Sequence, residues 1–364
     1  MQKVLFFIAF SIFFSCQKKE EKKEDINFNR SKLLTQAADN IIVPALEGAY
    51  MSVFSLQNAT DNFINNPTES NLLVAQEKWK LMAYNWQNIN MFNFGPAGEI
   101  GVNKSINEEA GTFPINTSKI ENYIQAKDTS FNNFDRDARG IYAIEFLLFG
   151  QNQNLTEIIR DHTSNPFRRE YLKACVNKLK QQIGQVYNAW NSSYSMEFKS
   201  NTGTDIGSSI SLFYNEFLKS YEGLKNFKFG IPLGLRPGQT NPLPQNVEAY
   251  YSGHSLELAF AHWSQLKKIW EGRGLNGKDG IGFKEYLVTI SGGNALIEST
   301  ERQMAEIDKA FSNIPQKPLS KCIQEDFEKV NLVHTEMQKH TRFFKSDLSS
   351  LIGIAITYSS GDGD

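Results

Sequence analysis

The 364-residue chain contains only three cysteines and five histidines. That shortage excludes disulfide-stapled small folds, zinc-finger arrays, haem-attachment repeats and multi-cluster redox proteins, so any metal site must lean on carboxylates. Charge of one sign is missing too. The 38 Lys and Arg stand against 40 Asp and Glu, leaving a net charge of −2, which supplies no field for nucleic acid. After the N-terminus no uncharged apolar run reaches the roughly 20 residues that a membrane span needs. No repeat recurs, which excludes a solenoid. No His is followed by Glu, so the zinc-protease helix His-Glu-x-x-His is absent, and no Gly-x-Ser-x-Gly marks a nucleophile elbow.

What is present is 40% hydrophobic and 12% aromatic sequence, enough for two domains at roughly 150 residues each. Lys3 precedes an apolar run from Val4 to Phe14, then Ser15 and Cys16, the layout of a signal peptide over 1–15. Phe13-Phe14-Ser15-Cys16 resembles a relaxed bacterial lipobox, in which Cys16 would carry the lipid. Residues Gln17 to Asp25 hold no apolar side chain and read as a solvated tether over 16–26. The expected setting is the cell envelope, with the chain anchored in the outer membrane by its N-terminal lipid and facing either the periplasm or the cell surface.

Beyond the tether the apolar spacing is helical almost throughout. Phe167, Tyr171, Cys175, Leu179, Ile183, Tyr187 and Trp190 recur at steps of four and three, a stripe that fits a helix and contradicts a strand. Further helices are expected near 30–65, 70–90, 134–150, 205–225, 247–271, 283–312 and 320–352, with Pro44 kinking or restarting the first. Gly353 to Tyr358 is the best strand candidate. Turn residues concentrate over 228–246, marking a functional connection or a seam. The reading is an all-α chain of two helical-bundle domains, about 27–200 and about 201–364.

Several segments together are similar to the imelysin family of exported bacterial proteins: Asp39-Asn40-Ile41-Ile42-Val43-Pro44, then Phe63, Pro67, Trp79, Trp86 and Phe94-Gly95-Pro96. Gly140-Ile141-Tyr142-Ala143-Ile144-Glu145 resembles the family signature, and Ser349 to Asp364 its ending. The resemblance implies two bundle-like domains with a site in the cleft between them, an association with iron uptake, and a proposed peptidase activity. The cofactor is left open, with iron or another divalent or trivalent metal as a candidate, and a third reading is a surface partner-binding module for an outer-membrane iron-uptake receptor. The signature has the form Gly-x-His-x-x-Glu, and Tyr142 stands at the His position, which lowers the expectation of a metal-dependent peptidase.

Positions 142 and 145 share a helix face. Three readings stay open: a tyrosinate–carboxylate site for ferric iron, a buried phenol bonded to Glu145, or a ligand cleft that keeps Glu145 as a recognition residue. Glu248 to Glu257 resembles a second family segment and is read as starting a helix. Within it Glu248, Ser252, His254 and Glu257 are site candidates, His254 standing as a replacement for the missing imidazole or as an exposed side chain beside Glu257. Trp86, seven residues after Trp79, faces a core or a ligand wall. His334 and His340, six apart, suggest surface roles. Gly272-Arg273-Gly274-Leu275-Asn276-Gly277 follows a helix rather than a strand and reads as a loop. Cys175 and Cys322 could pair in an oxidising envelope, though nothing fixes their distance.

Overall fold

Stretches of helically spaced apolar residues become helices where the preceding residue can satisfy the first free N–H groups. Thr68 accepts from Asn71 N, Asn154 and Glu157 form a reciprocal capping box, and Asn165 accepts from Phe167 N with Pro166 in the first turn. The computed structural model describes residues 28–99, 101 and 104–358. The expected leader, Cys16, the tether and the terminal Gly361–Asp364 lie outside them.

Ten helices of ten or more residues occur among the described residues: α1 (Val43–Asn65), α2 (Glu69–Trp86), α3 (Thr117–Ala126), α4 (Gly140–Phe149), α5 (Leu155–Ser164), α6 (Pro166–Ala189), α7 (Ser209–Gly223), α8 (Ser255–Trp270), α9 (Gly293–Ser312) and α10 (Phe327–Arg342). Helix α1 packs on α2 and α6, and α4 packs on α2 and α6. In the second half α9 packs on α10, while α8 contacts α7 and also reaches across to α2. One continuous apolar core runs through both halves. No described helix is long and apolar enough to cross a membrane.

Four wide, π-helical turns interrupt the regular winding, at Ala37–Ile42, Trp190–Tyr194, Leu224–Gly230 and Phe343–Leu348. The first answers the expectation at Pro44: the winding runs on without a break from Arg30 to Asn65, the wide turn ends just before Pro44, and the carbonyl of Asn40, which the proline cannot serve, accepts from Leu275 N at 3.1 Å. The stripe from Phe167 to Tyr187 lies on α6, whose apolar side is buried, and its last member, Trp190, opens the wide turn that follows.

Several expectations are corrected. No strand forms at Gly353–Tyr358, where the chain is irregular after Ile352, although Ile354 is buried. A short helix, Phe283–Val288, and the long α9 replace one helix over 283–312, because Gly292 adopts φ +81° between them. Residues 247–254 form turns rather than the start of a helix, with Ala249 at φ +52° and Gly253 at φ +76°. Helices α3 and α5 were not expected. His340 is not a surface residue: it is fully buried, ringed by Tyr221, Trp263, Phe343 and Phe344, and burial pushes its pKa down to about 3. Cys175 and Cys322 are both buried and unpaired. The 272–277 segment is a loop, as expected.

The signature helix α4 is held at its start by two long-range bonds. Trp79 Nε1 donates to Ile141 O at 2.8 Å and Tyr171 Oη donates to Ala138 O at 2.6 Å. Gly140 explains itself here. Its φ is +78°, and an added Cβ would lie 2.3 Å from Ala110 O, a backbone atom that cannot swing away. Gly140→Ala is therefore expected to destabilise the fold by about 2 kcal/mol or more, measured as a lowered urea midpoint with an unchanged slope.

Candidate functional site

The turn segment after the Pro-rich connection lies along α4, so the two sequence stretches singled out above meet. Tyr142 Oη donates to Glu248 Oε1, and Ser252 N donates to Glu145 Oε1 at 2.7 Å. Tyr251 packs edge-on against Phe146, with ring centroids 5.2 Å apart, which fastens the turn to the helix. Tyr142 thus bonds Glu248 rather than Glu145, the carboxylate expected from its own helix.

Glu248 is the centre of a buried polar cluster. Gln87 Nε2 donates to its Oε1 at 3.1 Å, and Lys228 Nζ stands 2.8 Å from its Oε2. Lys228 also donates to Gln87 Oε1 at 2.5 Å, and Asn90 Nδ2 donates to the same oxygen at 3.0 Å. The Lys228–Glu248 pair is almost entirely out of water, with side chains 6% and 2% exposed. Burial holds the Lys228 ammonium below its ordinary pKa even though Glu248 opposes the shift. Burial first, then the charge of Glu248, raises the Tyr142 phenol well above its ordinary value. Glu145 is pushed up to about 8, because desolvation outweighs the bonds from Ser252 and Tyr251. At pH 7 its carboxyl is mostly protonated.

This cluster forms one wall of a cavity of about 550 Å³, lined by Trp86, Asn90 and the 105–113 segment from the first half of the chain and by α7, Phe227, Lys228, Glu248 and His262 from the second. Trp86 therefore belongs both to the core, at 2% exposure, and to the cavity wall. Four carboxylates (Glu99, Glu108, Glu216, Glu248) face three cations (Arg136, Lys219, Lys228). Each cation is already paired, with Glu108, Glu216 and Glu248 in turn. The remaining lining is rich in amides and hydroxyls. A wider groove of about 690 Å³ lies beside α3, α5 and the start of α6, but its cation, Arg168, is already bound to Glu121 at 2.6 Å.

His254 and Glu257 pair with each other at 2.7 Å on the surface, with Lys80 4.0 Å from Glu257. Neither lines the cavity. Sequence reasoning missed Gln87, Asn90, Ser220, Lys228 and His262. The available signals were faint: a lysine between Phe227 and Phe229, and a histidine between Ala261 and Trp263 on an amphipathic helix.

The donor set does not fit a resident metal ion. Both oxygens of the central carboxylate are engaged, and the ammonium of Lys228 already stands where a cation would bind it. Tyr142 and Glu145 hold their protons at pH 7. Among the described residues no three His, Cys, Asp or Glu side chains converge on one point.

Comparison with known proteins agrees with the fold. A crystal structure described as an iron-regulated protein A precursor from Parabacteroides distasonis superposes with a TM-score of 0.73 at 19% identity, covering 88% of this chain and 95% of that one. The crystal structure of an imelysin-like protein from Psychrobacter arcticum gives 0.71 at 17% identity, covering 90% and 97%. Iron-regulated protein A of Synechococcus elongatus is 20% identical over 289 residues, 76% of this chain and 74% of the relative. The Imelysin family model matches residues 42–340, and on that match the chain belongs to the imelysin family.

Proposed function

We propose that this protein is an envelope lipoprotein, anchored through Cys16, that holds a polar organic ligand in the cavity lined by both halves of its chain as an accessory to iron uptake. The observation that carries the reading is the cavity itself: about 550 Å³, walled by amides, hydroxyls and aromatic edges, with a buried Lys228–Glu248 pair in its side. Its cations are neutralised by carboxylates, which favours a neutral or cationic ligand over an anionic one. Two relatives are named iron-regulated protein A, and the charge-balanced lining makes a neutral ferric chelate, of which hydroxamates are one kind, the ligand to test first. Iron then enters as cargo inside its chelator, not as a ligand of protein side chains.

Gly223 offers a clean control. It lies on α7 at the cavity, and an added Cβ would meet only Phe227 Cδ2, at 3.8 Å. Gly223→Leu should fill the cavity without backbone strain. Calorimetric titration of the mature protein with a neutral ferric hydroxamate is expected to give saturable one-to-one binding that Gly223→Leu abolishes while the unfolding transition stays in place. No binding, or binding unchanged in the filled variant, would refute the assignment.

A further inference from the structure

Ser220 and His262 meet across two helices at the cavity wall. Ser220 Oγ, on α7, lies 2.6 Å from His262 Nε2, on α8, and both residues line the cavity. This is unusual behaviour for a helical hydroxyl in this protein. Ser55, Thr163 and Ser299 each donate back to the carbonyl four residues earlier, the ordinary local bond. Ser220 instead turns to an imidazole 42 positions away. Its other neighbour, Asn90 Oδ1 at 3.4 Å, is a weaker partner.

His262 is buried at 3% exposure, and its Nδ1 has no hydrogen-bond partner. Burial, and then the charge of Lys228, hold it well below its ordinary pKa. The ring is therefore neutral at pH 7. The tautomer sets the direction of this bond: protonated at Nδ1, as the dyad requires, the ring accepts the serine proton at Nε2, whereas protonated at Nε2 it donates to Ser220 Oγ, which then donates to Asn90 Oδ1.

We infer that Ser220 and His262 form a nucleophile–base dyad that takes an acyl group from a small ester entering the cavity. Ser220 Oγ bonds to the acyl carbon, its proton passes to His262 Nε2, the bond from that carbon to the alkoxide oxygen breaks, and the imidazolium returns the proton to the departing alcohol. Water then attacks the acyl-serine with His262 again as the base, releasing a carboxylic acid and restoring the hydroxyl. No carboxylate orients His262 from Nδ1, and a triad without that member turns over slowly. Covalent capture is accordingly the sensitive readout.

The inference rests on the cavity admitting ligands, as the proposed function also requires. The test is incubation of the mature protein with a fluorophosphonate probe, followed by peptide mass mapping. The expected result is one adduct on Ser220, absent in Ser220→Ala and formed about 100-fold more slowly in His262→Gln. Because the site is read from the wild-type adduct, the result does not depend on a variant folding. Labelling of Ser220 no faster than of a surface serine such as Ser55, or an unchanged rate in His262→Gln, overturns the dyad. Ferric hydroxamate binding without a Ser220 adduct removes the dyad alone. An adduct without chelate binding removes the chelate assignment and leaves the dyad, while loss of both refutes both.

Discussion

Replacing Lys228 with methionine is expected to lower the unfolding free energy by about 3 to 5 kcal/mol in urea at pH 7. The magnitude follows from what is left behind. Glu248 keeps the donors from Tyr142 and Gln87 on one oxygen, but its other oxygen loses the ammonium at 2.8 Å in a place almost closed to water. A buried carboxylate without its counter-charge costs more than the pair contributes when intact. Lys228→Met/Glu248→Gln should therefore recover most of the loss, since a neutral amide still accepts from Tyr142. The single variant should also regain stability as pH falls and the orphaned carboxyl protonates, a trend absent in the double variant. If the single and double variants are equally unstable, the pair is not what holds this wall together.

Glu145→Gln is expected to stabilise the protein at pH 8 and to leave it nearly unchanged at pH 4.5. The carboxyl has a pKa of about 8 in the fold, against an ordinary 4.5. Between these values the native state holds a proton that the unfolded chain has released. Stability therefore falls as pH rises through that window, by at most about 1.4 kcal/mol per pH unit, and flattens above it. The amide cannot ionise, so the variant escapes the fall, and its advantage at pH 8 should reach a few kcal/mol. Unfolding curves at pH 4.5, 6 and 8 decide the matter: parallel pH dependence in the two proteins would mean that Glu145 is not the group responsible.

Much of the fold was legible because helices announce themselves locally. Six steps of three or four residues from Phe167 to Trp190 leave no other period to choose. What failed was what depends on distant partners. An apolar run such as Gly353–Tyr358 fits a strand by composition, but no described strand stands beside it to complete a ladder. The site divides in the same way. Tyr142, Glu145, Glu248 and Ser252 were visible from two motif-like segments and do meet across the fold. His254 and Glu257 share the spacing of Tyr142 and Glu145 yet pair with each other at the surface, because spacing sets a face and not what the face looks upon. Lys228 and His262 carry only the faint pattern of a polar residue between apolar ones, and Gln87 carries none. A buried lysine is recognisable only once the carboxylate that justifies it is in place, and that partner is twenty residues away along an irregular connection.

Lys228 owes its direction to the wide turn at Leu224–Gly230 that ends the run of helix begun at Ser209. Such a turn amounts to one extra residue inserted into regular winding, and each residue of an α-helix advances the side-chain direction by about 100°. A chain shorter by one residue between Leu224 and Lys228 would keep its helix, relax the turn and swing the ammonium off Glu248. The chemistry of this wall is thus sensitive to chain length as well as to residue identity. Among related sequences, its loss would register as a gap in the alignment, with every site residue still present.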